Sequence, residues 1–166
     1  KHLKLRRVSR DWFLPRSVAK LDVEIQAMCK EYVDKMQEMG DECDFVKDIT
    51  LLYPLRIIMS ILGLPRESEA TMLRLTQELF GNQDPDLQRQ SLDGESMETL
   101  LAFSAYFEEV IADRKKNPTD DLATVLANAE IDGEPMNPLD QMSYFIIAAS
   151  AGHDTTSAVL GAGMKA

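Results

Sequence analysis

Apolar residues recur three or four apart along most of this chain, the period of helices with one buried side. The clearest run is Val18, Leu21, Ile25, Met28, Tyr32, Met36 and Met39, which predicts an amphipathic helix ending at Gly40. Ahead of it, residues 2–12 predict a basic helix, broken at Phe13-Leu14-Pro15-Arg16. Asp44-Phe45-Val46 predicts a short strand. Residues 49–62 are apolar on nearly all sides and predict a buried helix, disturbed near Pro54 and stopped by Gly63-Leu64-Pro65. An amphipathic helix is predicted over 67–80, a polar loop over 82–94, and a long helix over 95–116 closed by Asn117-Pro118. A short helix over 120–128 and a tight turn at Ile131-Asp132-Gly133-Glu134, within a small hairpin, follow. The fold class is therefore all-α, mainly helical with minor β.

The last stretch is the most informative. From Met142 to Gly152 no residue carries a formal charge, which predicts a helix buried on most sides. Asn137 can cap it, Pro138 suits its first position, and Asp140 sits in its first turn. It then runs into a polar knot. Gly152 inside a helix costs about 1 kcal/mol relative to Ala. Asp154 places a carboxylate among apolar neighbours, which is costly unless it is paired, hydrated or protonated. Thr155 and Thr156 can donate back to the carbonyls of Ala151 and Gly152, which bends a helix. Three weakening choices in a row mark a site. Ile147, Ala151 and Thr155, four apart, share a face, with Ala148 and Gly152 beside them. Small residues there admit something flat or bulky to the backbone, and an acid beside a hydroxyl can relay protons from solvent. Small residues alone would equally serve a close helix–helix contact.

Composition narrows the class. The chain has 166 residues, 45% of them apolar and 28% charged, enough for one globular domain with a core. The net charge of −10 is uneven: residues 1–20 hold seven cations against Asp11 alone, a local +6 that leaves −16 for the remainder. That balance argues against nucleic-acid binding and leaves the opening segment as a positive surface. Cys29 and Cys43 form neither a disulfide framework nor a metal-finger spacing, so a cytoplasmic, reducing compartment is expected. No stretch is long and apolar enough for a membrane span. The chain starts at Lys1, and Ala166 falls inside the helical pattern that began at Asn137, so it reads as cut from something longer.

Ala151-Gly152-His153-Asp154-Thr155-Thr156 resembles the distal-helix signature of the cytochrome P450 family, Ala/Gly-Gly-x-Asp/Glu-Thr-Thr/Ser. His2-Leu3-Lys4-Leu5-Arg6-Arg7-Val8 resembles that family's C helix, in which a His and an Arg hold the haem propionates. The order of elements is similar to the segment from helix C through helix I over essentially the whole of 1–166. The Asp44-Phe45-Val46 and Gly63-Leu64-Pro65 phrases and Asp120-Asp121-Leu122 resemble the bacterial soluble branch.

The resemblance implies a partial P450 domain with its N-terminal part and its C-terminal haem-thiolate part missing. It implies a haem-thiolate monooxygenase that uses haem b, O2 and electrons from NAD(P)H, delivered by a ferredoxin-type donor near the basic first helix, to hydroxylate a lipophilic small molecule. Thr155 would hydrogen-bond the oxygen at the iron and steer its protonation, with Asp154 feeding protons inward. Ala151 and Gly152 would lie against the haem, and His2 and Arg6 at its propionates. Ile147, Ala148, Ala151, Met72, Leu75, Leu79 and Phe80 would line the substrate pocket, with residues 81–94 as part of its access lid. His153 stands at the variable position of the signature and takes no role. The Glu-x-x-Arg pair and the Cys-bearing loop of the family are absent, so no metal ligand is expected here and the piece alone should be inactive. Two other readings compete: a non-enzymatic helical domain docking an acidic protein through its basic first helix, and a metal phosphohydrolase built on His153-Asp154. The second lacks ligands, since His2 is the only other histidine.

Overall fold

Helix α8, Pro138–Lys165, forms where the chain caps it: the Oδ1 of Asn137 accepts the amide N–H of Leu139 at 2.9 Å, and Pro138 holds the first helical position. This computed structural model, which describes residues 2–80 and 93–165, holds seven further α-helices among them. They are α1 (His2–Val8), α2 (Pro15–Val18), α3 (Asp22–Glu38), α4 (Tyr53–Ile61), α5 (Glu69–Phe80), α6 (Asp93–Lys116) and α7 (Leu122–Ala127), of which α4 to α7 pack against α8. A two-stranded hairpin, β1 (Glu130–Ile131) and β2 (Glu134–Pro135), precedes α8. Its strands pair antiparallel, Glu130 with Pro135 and Ile131 with Glu134. Asp132 and Gly133 both carry positive φ, 59° and 82°, as the tight hairpin turn demands.

The inward side of α8 is a ladder at every fourth residue: Gln141, Phe145, Ala149, His153 and Ser157 are all buried. Helices α4, α5, α6 and α7 and the segment Val46–Thr50 pack against it. Phe145 meets Phe107 at 5.0 Å between ring centres, and Phe107 stacks on Phe103 at 6.0 Å. Leu55, Leu62, Met72, Leu75, Leu122 and Leu126 close the core around these rings. The outward side differs from the sequence expectation of a helix buried on most sides. Ile147 is 61% exposed and Val159 71%, because no other described element covers that side.

Three expected boundaries are corrected. Asp44-Phe45-Val46 is not a strand but the start of a helical segment, which continues as a π turn, Val46–Thr50. The reason is capping: the Asp44 carboxylate accepts the N–H of Lys47 at 3.1 Å, and Asp48 accepts that of Asp44 at 3.0 Å. The basic helix stops at Val8 and gives way to turns before Trp12. Asp93 and Gly94 belong to α6, not to the preceding loop, whose other residues, 81–92, lie outside the described ones.

Candidate active site

The uncovered side of α8 carries the residues singled out in the sequence. Ile147, Ala151, Asp154 and Thr155 are all exposed there. The Thr155 hydroxyl donates to the Ala151 carbonyl at 2.7 Å, the back-bond expected, whereas Thr156 makes no matching bond to Gly152. The helix nevertheless runs unbroken through the polar knot to Lys165. Asp154 is exposed, with no described element against it.

The other side of the same turn is held tightly. A Cβ added to Gly152 would stand 2.4 Å from Cδ1 of Ile58, so the glycine makes room for α4. The pair Ala151-Gly152 thus has two surroundings: Ala151 is exposed, while a side chain at Gly152 would point toward Ile58 of α4. His153, 3% exposed, sits 2.8 Å through Nε2 from the Leu51 carbonyl. Burial pushes its pKa below the ordinary histidine value, against an upward pull from the Leu51 bond and from Asp154. A neutral ring facing a carbonyl carries its proton on Nε2 and donates it. One turn on, Ser157 Oγ donates to Thr50 Oγ1 at 3.3 Å, and Thr50 in turn donates to the Val46 carbonyl.

Helix α1 reaches α8 through a bond between the hydroxyls of Ser9 and Tyr144 and reaches the hairpin through Lys4, which pairs with Asp132. His2 and Arg6 are exposed and one helical turn apart on α1, free of ion pairs among the described residues. Of the expected substrate contacts, Met72 and Leu75 are buried in the core of the described residues. Leu79 and Ala148 are half-buried against the same core. The Phe80 side chain and residues 81–92, the expected lid, lie outside the described residues. Gln141, unremarked in the sequence, is buried and donates to the Leu126 and Ala127 carbonyls, at 2.6 and 3.2 Å. Its place on the ladder with Phe145 and His153 was the available signal.

A cleft of about 520 Å³ lies elsewhere, along α3 beside Arg56. Several of its charges are paired: Arg56 with Glu31 and Glu69, standing 5.1 Å over the Tyr32 ring, and Lys30 with Asp34, while Lys35 donates to the Asp48 carbonyl. Burial pushes Tyr32 up to about 12. Among the described residues no group of three or more His, Cys, Asp or Glu side chains could hold a metal ion. The outward side of α8 does suit one face of a flat macrocycle, since Ala151 presents only a methyl group, and His2 and Arg6 offer donors for peripheral carboxylates. Cys29 and Cys43 are exposed and stand apart from it, on α3 and just beyond.

No family model matches the chain. It is 38% identical over 168 residues to cytochrome P450-terp of a Pseudomonas species, covering 96% of this chain and 39% of that protein. It is 31% identical over 166 residues to a steroid C26-monooxygenase of Mycobacterium tuberculosis, covering 99% of this chain and 37% of that protein. Among solved structures, CYP108D1 of Novosphingobium aromaticivorans superposes with a TM-score of 0.80 at 47% identity, covering 94% of this chain and 36% of that one. A Mycobacterium marinum cytochrome P450 in complex with pseudoionone superposes with a TM-score of 0.86 at 29% identity, covering 94% and 38%. The chain thus spans about two fifths of the length of the curated relatives it matches. With the helical order, the exposed Ala151–Thr155 face and this similarity along nearly all its residues, the chain belongs to the cytochrome P450 family, as one contiguous part of such a protein.

Proposed function

We propose that this chain forms the oxygen side of a haem-thiolate monooxygenase that hydroxylates a lipophilic small molecule, with O2 as co-substrate. The observation that carries the reading is the pairing of an exposed acid and an exposed hydroxyl, Asp154 and Thr155, on the uncovered side of a helix fastened from behind. Haem b, when bound, would supply the redox chemistry of O–O cleavage. Ala151 lets that group approach the backbone, and His2 and Arg6 hold its carboxylates. The Thr155 hydroxyl, resting on the Ala151 carbonyl, keeps its lone pairs free to accept and can turn to donate. Asp154 takes protons from solvent and passes them, through water, to that hydroxyl.

Ile147 and Ala148 are the wall residues we assign to the substrate. The relatives' names, a steroid C26-monooxygenase and a P450 holding pseudoionone, support a lipophilic molecule. Electrons come from NAD(P)H through a ferredoxin-type donor docking near α1. No described helix is long and apolar enough to cross a membrane. The free, exposed Cys29 and Cys43 support a reducing, cytoplasmic setting.

The test uses the full-length protein. Its reduced, carbon monoxide-bound spectrum is expected to show the thiolate-type shift, and a normal haem spectrum without that shift rejects the reading. Thr155→Ala is expected to keep the haem but send most electrons to peroxide. Asp154→Asn is expected to slow turnover by about tenfold or more, as loss of a positioned proton donor does. Unchanged coupling and rate in both variants would remove the pair from the mechanism.

A further inference from the structure

Thr155 is flanked by two buried polar residues, His153 and Ser157, each two positions away. At roughly 100° per residue, both lie some 200° around the helix from it, nearly opposite. Both grip the same short piece of chain. His153 donates to the Leu51 carbonyl at 2.8 Å, and Ser157 donates to Thr50 Oγ1 at 3.3 Å. That piece is the joint between the π turn Val46–Thr50 and α4, where Pro54 has no N–H to offer the backbone behind it. Between the two grips and Ile58, which fills the space at Gly152, the inward face of this turn has contacts on adjoining positions. An apolar side chain at 153 would pack as well but would leave the Leu51 carbonyl without its donor.

We infer that His153 is a positioning residue: with Ser157 it latches α8 to the joint before α4, and so fixes the rotation at which Asp154 and Thr155 face outward. This rests on the proposed monooxygenase reading. A looser latch lets the turn roll, and the Thr155 hydroxyl then spends part of its time away from the reacting oxygen. Electrons are lost to peroxide while the apolar wall still binds substrate.

The experiment compares full-length wild type, His153→Leu and His153→Gln, the last having an amide N–H able to reach the Leu51 carbonyl. The carbon monoxide spectrum comes first; its absence in the wild type sinks the monooxygenase reading and leaves the contact geometry untouched. Given that spectrum, His153→Leu is expected to raise the peroxide-yielding fraction of electrons at least threefold, with substrate KM within twofold of wild type, and His153→Gln to restore most of the coupling. The latch is overturned if His153→Leu lowers the Tm yet couples as the wild type does, or if Gln fails to rescue. Should His153→Leu not accumulate as folded protein, Ser157→Ala carries the test: raised peroxide supports the latch, and unchanged coupling refutes it.

Discussion

Gly152 costs a helix about 1 kcal/mol relative to Ala, and its place in α8 is accounted for by the neighbour that uses the space. Adding a methyl there would set it 2.4 Å from the tip of Ile58. Gly152→Ala is therefore expected to destabilise the full-length protein by about 1–3 kcal/mol, the usual cost of overpacking. Adding Ile58→Val, which removes the clashing atom, should recover part of the loss in thermal unfolding, so the two changes together cost less than their sum. A second expectation concerns pH. The pKa of His153 is lowered in the fold, mainly by burial, so the unfolded chain binds that proton more readily than the folded one. Its contribution is complete above the unfolded value of about 6.5 and shrinks as pH falls below it. His153→Gln should narrow the Tm difference between pH 7.5 and 5.5; an unchanged difference would show that this ring does not set the acid sensitivity. The outward residues were legible in the sequence because Ala151, Asp154 and Thr155 are neighbours on one helix. The inward grip was not, because Leu51, Thr50 and Ile58 lie about a hundred residues earlier and no local pattern announces them.

At the scale of elements, the helices were legible wherever one periodic face met a marked end, as for α3 before Gly40, whose φ is +86°. The failure at Asp44–Val46 has a local cause: two apolar residues outweighed an aspartate that caps a helix. The less visible device is the knot joining three element ends. Arg114, near the end of α6, donates to Asp121 at 2.8 Å and to the Gly63 carbonyl at 2.7 Å, and Asp121 caps α7 through the N–H of Thr124 at 2.7 Å. Asp121 is 5% exposed; burial pushes its pKa up, but the bonds from Thr119, Thr124 and Arg114 outweigh that and hold it below the usual carboxylate range. Asp121→Asn keeps an acceptor for the cap and removes the charge, so Arg114 loses its buried partner. It is expected to cost about 2–4 kcal/mol in denaturant unfolding of the full-length protein, near the range for a broken buried pair. Gly63→Ala is expected to cost at least as much, since Gly63 has φ +65° and a Cβ there would stand 2.0 Å from the Asp121 carboxylate. A loss below about 0.5 kcal/mol in both, typical of a surface change, would mean the knot is not a structural joint.

For the molecule as a whole, charge is the property that composition already displayed and the fold refines. The chain carries −10 overall, yet its first twenty residues are strongly basic. Not all of that positive charge is available to a partner. Lys4 is engaged by Asp132 of the hairpin, and Lys20 lies 3.6 Å from Asp120. Arg7 and Arg10 are exposed and make no ion pair among the described residues, so both are available to the proposed acidic electron donor. Reversing both, Arg7→Glu with Arg10→Glu, is expected to slow reduction of the full-length protein by an acidic ferredoxin about tenfold at low salt, because steered association scales with the local field. The deficit should shrink as salt rises, since the screening length falls from about 30 Å at 0.01 M to about 10 Å at 0.1 M. Lys4→Gln, which removes a charge already balanced by Asp132, should change the rate far less. Stopped-flow reduction across a salt series separates these cases. If the double reversal leaves both the rate and its salt dependence as they were, the proposed docking of the donor at α1 is rejected.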